Sequence, residues 1–127
     1  MTDTNNATEK PVSLTEVLNA NSIPMTAVAA NKVLHSAGMT EVRWRASSKP
    51  GRPPKSYRAA TLLGEQHGAV NEVNTVGSGD PILLKYLPSM FPAIWAHKAV
   101  QDTLAAMLRE GEVKYRDGAA QDAGEAF

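Results

Sequence analysis

The sequence predicts an α+β domain, and three features of its first half carry that prediction. Two short helical patterns meet at a turn rich in Asn, Ser and Pro; a segment alternating charged and apolar residues follows; a basic, proline-rich loop then leads to a return strand. In the first pattern, Ser13-Leu14-Thr15-Glu16-Val17-Leu18, Ser13 is placed to cap the helix and Glu16 to answer it, the reciprocal arrangement that satisfies two orphan amide donors. Leu14, Val17 and Leu18 share one face at a period of 3.6. Asn19-Ala20-Asn21-Ser22-Ile23-Pro24 stops the helix and turns the chain. A second helix runs from about Thr26 to Ala37, with Gly38 where a left-handed C-cap needs a residue without Cβ. Two such helices joined by a few residues place the second one in a DNA major groove. The expected architecture is a winged helix-turn-helix with a small antiparallel sheet and a C-terminal helix.

In the second helix, steps of 100° place Ala29, Ala30, Val33, Leu34 and Ala37 on one side and Val28, Asn31, Lys32 and His35 on or near the other. The exposed side, beginning with Thr26 and Ala27, is expected to reach base edges. Asn31 and Lys32 suit adenine and guanine edges or phosphate, and Asn31 equally suits a local structural hydrogen bond. Glu41-Val42-Arg43-Trp44-Arg45 then alternates as a half-buried strand does, so Val42 and Trp44 are expected in the core and Arg43 and Arg45 in solvent. The run from Ala46 to Lys55 holds three prolines and a glycine and excludes regular helix or central strand. Ser56-Tyr57-Arg58-Ala59-Ala60 is the return strand. Within the loop, Lys49-Pro50-Gly51-Arg52-Pro53-Pro54-Lys55 resembles an AT-hook, with Pro50 where that motif carries a second arginine. The resemblance implies an extended segment whose Arg52 sits in the negative potential of a narrow A·T minor groove; a generic basic wing on phosphate, or an inert loop, are the other readings.

Net charge is zero, but its distribution is not even. Residues 32–58 hold Lys32, Arg43, Arg45, Lys49, Arg52, Lys55 and Arg58 against Glu41 alone, a balance of +6, whereas residues 1–31 balance at −2 and residues 59–127 at −4. Seven bases beside a recognition helix form the footprint of a polyanion site, and phosphate contacts release counterions locally whatever the total charge. The competing reading is a solvated loop. A hydrophobic content of 43% with 20% charged residues places the bulk of the 127-residue chain among globular domains. Cysteine is absent, which excludes disulfides, thiolate catalysis and cysteine-ligated zinc. His35, His67 and His97 lie about thirty residues apart, without the close spacing of a local metal motif, so neither a metal nor a cofactor is expected. No signal-like or membrane-spanning apolar run occurs, and a soluble, cytoplasmic protein with no membrane partner is expected.

Thr61 to Gly68 is read as a short helix, capped by Thr61 and stopped by Gly68. Residues 69–74 and 82–87 are strand-like, joined by Gly77-Ser78-Gly79-Asp80-Pro81, which lacks the Gly-Lys-Ser/Thr of a phosphate loop. A last helix is expected from near Ser89, with Pro92 in its first turn, through Trp95, Val100, Leu104, Met107 and Leu108 to Gly111. Its apolar face is either core or the contact surface of a homodimer. Residues 1–11 are expected to form a disordered tail, 12–110 the domain, and 111–127 a disordered acidic tail.

The order Leu14-Thr15-Glu16-Val17-Leu18, Met25-Thr26-Ala27, Ala30-Asn31-Lys32-Val33-Leu34, Ala37-Gly38-Met39, a basic hairpin, Gly64-Glu65-Gln66-His67-Gly68, Lys85-Tyr86, and a helix with Phe91 and Trp95 resembles the KilA C-terminal module of phage antirepressors and related phage or plasmid regulators. The resemblance spans roughly residues 12–108 and implies a double-stranded DNA-binding regulator of transcription or replication of a mobile element. A separate effector domain has no room in this length, so a stand-alone regulator or accessory DNA-binding protein is expected. The expected DNA contacts are Thr26, Ala27, Asn31, Lys32, His35, Arg43, Arg45, Lys49, Arg52, Lys55 and Arg58. The rival is a protein-interaction module that seizes a repressor. An enzyme is not expected, since no nucleophile, base and orienter stand in local spacing.

Overall fold

The computed structural model describes residues 9–47, 49–76 and 79–116, which form an α+β fold of five helices and two small antiparallel sheets. α1 (Leu14–Ala20) and α2 (Ala27–Ser36) make the two-helix unit. The Ser13 hydroxyl accepts from the Glu16 amide and the Thr26 hydroxyl from the Ala29 amide, each at 3.2 Å; the Ser13 cap follows the sequence, whereas Thr26, expected as the first residue of the second helix, is its N-cap. α1 outlasts its predicted end by two residues and closes with paired bonds, from the Ile23 amide to the Leu18 carbonyl and from the Ser22 amide to the Asn19 carbonyl. Ser22 takes the left-handed position at φ 56. α2 ends the same way, with Gly38 at φ 88 and the Met39 amide bonded to the Leu34 carbonyl.

β1 (Thr40–Arg45) and β2 (Lys55–Ala60) form an antiparallel hairpin in which Thr40 faces Ala60 and Arg45 faces Lys55. α3 (Leu62–Gln66) follows, and Thr61 fixes it twice: its hydroxyl accepts from the Gly64 amide and donates to the Gly38 carbonyl. Only glycine fits at position 64, because a Cβ there would collide with the Met39 carbonyl oxygen. β3 (Ala69–Val73) and β4 (Ile82–Tyr86) make the second hairpin, extended at one edge by a bridge between Val12 and Tyr86. Asn71 joins the two hairpins: its side chain accepts from the Ala60 amide at 2.7 Å and donates to the Ala60 carbonyl at 3.2 Å.

The core gathers Val17 and Leu18 of α1, Ala30, Val33 and Leu34 of α2, Tyr86 of β4, and the apolar stripes of the last two helices. The single C-terminal helix expected from Ser89 is two, α4 (Phe91–Ala96) and α5 (Lys98–Arg109), because His97 takes an extended conformation (φ −59, ψ 138) and caps α5 by accepting the Ala99 amide at Nδ1. Pro92 does sit in the first turn of α4. Ser89 instead gives its amide and hydroxyl to the Glu9 carboxylate, at 2.8 and 2.6 Å. The apolar stripe of α5, Val100, Leu104 and Met107, is buried within this chain, so the face expected to pair two copies is already used by the fold.

The core assignment of Val42 and Trp44 is also corrected. Burial is complete at the hairpin base, in Thr40, Ala59 and Ala60, and falls away toward its tip, where Val42 is 44% and Trp44 67% exposed. The alternation is real, but among the described residues nothing covers that face at Val42 and Trp44. Past α5 the chain is not a tail at once: Val113 is buried and the Arg116 amide donates to the Pro24 carbonyl at 2.7 Å. The remaining tail assignments, residues 1–8 and 117–127, lie outside the described residues. Among the described residues no helix is long and apolar enough to cross a membrane.

Candidate nucleic-acid interface

The open face of α2 is a stripe one helical side wide. Val28, Lys32 and His35 are exposed and Asn31 is half-buried, as the 100° steps require. The Asn31 side chain makes no hydrogen bond among the described residues, which leaves its amide available to a ligand. Two of the expected contacts also serve the fold. The Thr26 hydroxyl is engaged as the N-cap, and Ala27 packs against the core. Val28, 71% exposed, presents the methyl groups at this end of the helix, a chemistry suited to the thymine methyl.

The hairpin cations divide into two groups. Arg43 pairs with Glu41 at 2.8 Å on the same strand face, and that hydrogen bond raises its pKa further above the ordinary guanidinium value. Arg45, with only 20% of its side chain exposed, pairs with Asp80 at 2.8 Å and donates to the Ala46 carbonyl, so it clips the first hairpin to the loop of the second. Lys49, Arg52, Lys55 and Arg58 form no ion pair among the described residues. Burial pushes the Tyr86 phenol well above its usual range, and the nearby Arg58 charge opposes that shift.

The proline-rich loop is bent, not extended. The Arg52 amide donates to the Lys49 carbonyl, and Gly51 at φ 77 occupies the third position of the turn, where a type II geometry needs φ above zero and Pro50 suits the second. The extended strip that an AT-hook resemblance implies is therefore replaced, at Lys49–Arg52, by a tight reverse turn. Lys49, Arg52 and Lys55 end up around one shallow hollow with Ser47, Pro53 and Pro54. Three cations on one open hollow can hold phosphate oxygens.

Two further features are not evident from the sequence. The segment 112–116 runs beside α2 and brings Lys114 and Arg116 to a hollow lined by Thr26, Val28 and Lys32. Its clue is the alternation of Val113 and Tyr115 with charged neighbours directly after Gly111, which acidic composition further on obscures. The fold also brings His67 and His97 into an edge contact, with ring centroids 4.9 Å apart, although they are thirty residues apart in sequence. The Nδ1 atoms of both are engaged, His67 with the Leu63 carbonyl and His97 with the Ala99 amide. Among the described residues no three His, Cys, Asp or Glu side chains gather as a metal group would require.

No protein-family model matches this chain, and neither a curated protein nor a solved structure does.

Proposed function

We propose that this chain is a sequence-selective DNA-binding regulator, a winged helix-turn-helix of the KilA C-terminal kind, acting on transcription or replication of a phage, plasmid or other mobile element. One observation supports the reading above all. A capped two-helix unit with an open Val28, Asn31, Lys32 and His35 stripe is followed directly by a hairpin whose Lys49, Arg52, Lys55 and Arg58 have no internal ion partner among the described residues. In this reading α2 supplies base contacts and the hairpin supplies phosphate contacts, the division of labour of sequence readers.

The test is a salt titration of duplex binding. Replacing Lys49, Arg52, Lys55 and Arg58 together by glutamine should leave the thermal melt close to wild type. The slope of log affinity against log salt should flatten by roughly 0.9 for each phosphate that is no longer neutralised. An unchanged slope would remove the hairpin from the mechanism. On a preferred site, Asn31→Ala or Lys32→Ala should cost about 1–3 kcal/mol and cost little on random DNA. Equal weakening on every duplex would leave a nonspecific binder.

A further inference from the structure

Trp44 is the largest side chain that the fold leaves in solvent, and it stands on the basic hairpin. It shares a sheet face with Val42, Ser56 and Arg58, because Trp44 is opposite Ser56 and Val42 opposite Arg58. Serine is too small to cover an indole, so the ring stays 67% exposed. Arg58 lies diagonally across from it, within reach of a long side chain. One residue beyond Trp44 the strand ends at the Arg45–Lys55 pair, and the loop carrying Lys49 and Arg52 begins.

We infer that this face is a stacking platform for an unpaired base of single-stranded DNA, with Val42 and Trp44 as its floor and Arg58 and the loop cations as its phosphate contacts. The inference rests on the polyanion reading of the hairpin and sharpens it. Charge complementarity selects the partner: an aromatic ring among cations without internal partners matches a nucleotide, which is a flat π-system attached to a negative phosphate. An unpaired base favours this face over an intact duplex, because a duplex offers edges in its grooves and keeps its base faces stacked. Indole–base stacking beside a positive groove is the general means of holding single strands without reading sequence.

The protein has a second tryptophan, Trp95, stacked at 6.0 Å on Phe91, so Trp44→Phe identifies which ring reports. Full-length protein is titrated with a twelve-nucleotide oligodeoxythymidine and with a matched duplex, following tryptophan fluorescence and affinity. The expected result is quenching by the single strand that disappears in Trp44→Phe, while that variant keeps most of its affinity. Trp44→Ala should bind the single strand roughly tenfold more weakly with an unaltered salt slope and an unaltered melt. Binding of both nucleic acids through the cations, with neither quenching nor an effect of Trp44→Ala, overturns the platform and leaves the phosphate reading intact. Absence of any nucleic-acid binding overturns both. A change from dimer to monomer in Trp44→Ala, measured by sedimentation, overturns the platform in favour of contact between copies of this chain.

Discussion

The two hairpins are of similar strand length and opposite use. β3–β4 is built into the domain: Val12 bridges its edge, Tyr86 is buried against Phe91 in an edge contact at 5.5 Å, and its one lysine, Lys85, pairs across the strands with Glu72 at 3.1 Å. β1–β2 is anchored at its base by Thr40, Ala59, Ala60 and the Asn71 side chain and at its far end by the Arg45–Asp80 pair, and its far half otherwise carries cations and an indole in solvent. The difference is one of neighbours. A strand pair becomes scaffold where helices cover a face and its charges are paired, and becomes available surface where it runs past the edge of the core.

The largest effect should come from probing that comparison with aromatic deletions. Tyr86→Ala removes a fully buried ring and should cost about 3–5 kcal/mol, the range of buried aromatic truncations. Trp44→Ala removes a larger ring from solvent and should stay within about 0.5 kcal/mol of wild type. Chemical denaturation of the two variants measures both. A Trp44→Ala destabilisation of several kcal/mol would mean that this face is covered in solution.

An intermediate effect is expected where the hairpins meet. Asn71→Ala leaves the Ala60 amide without its side-chain acceptor and the Ala60 carbonyl with only the longer 3.4 Å bond from the Arg43 guanidinium, close to buried Ala59 and Ala60, at a cost of roughly 1–3 kcal/mol. Hydrogen exchange should show the Ala60 amide losing protection more than those of β3. Uniform deprotection across both hairpins would mean that they open as one unit and that Asn71 is not a separate joint.

Short-range chemistry explains which parts are legible in the sequence. The caps at Ser13 and Thr61, the stop at Gly38, and the strand limits near Ala60 and Ala69 depend on residues three or four positions away, and these follow from the sequence. Alternation in β1 correctly reports two faces but not which one is covered, because cover comes from elements far along the chain; alternation alone misplaces Trp44 for that reason. The break at His97 lacks glycine or proline, and the stripes on either side each look continuous with the other. In the candidate interface, clustered charge is legible, whereas the diversion of Arg45 is not, since Asp80 lies thirty-five residues away.

The smallest effect asks on which side of the comparison Arg45 falls. It belongs to the exposed hairpin by sequence and to the scaffold by contact, holding Asp80 with a side chain more buried than its partner's. An ion pair exposed to this degree contributes up to about 1 kcal/mol, so Arg45→Gln should lower stability by no more than that. Its decisive readout is binding. If Arg45 serves the joint, Arg45→Gln leaves the salt slope of duplex binding unchanged, while Arg58→Gln reduces it by roughly 0.9, the share of one phosphate contact. The Asp80→Asn variant separates the two roles further. Freed from its carboxylate, an arginine that only braces the loop adds nothing to affinity, whereas one held back from DNA by Asp80 makes Asp80→Asn bind more tightly and steepens the slope. That second outcome would move Arg45 back among the DNA contacts and make the clip between the hairpins a competitor of the nucleic acid.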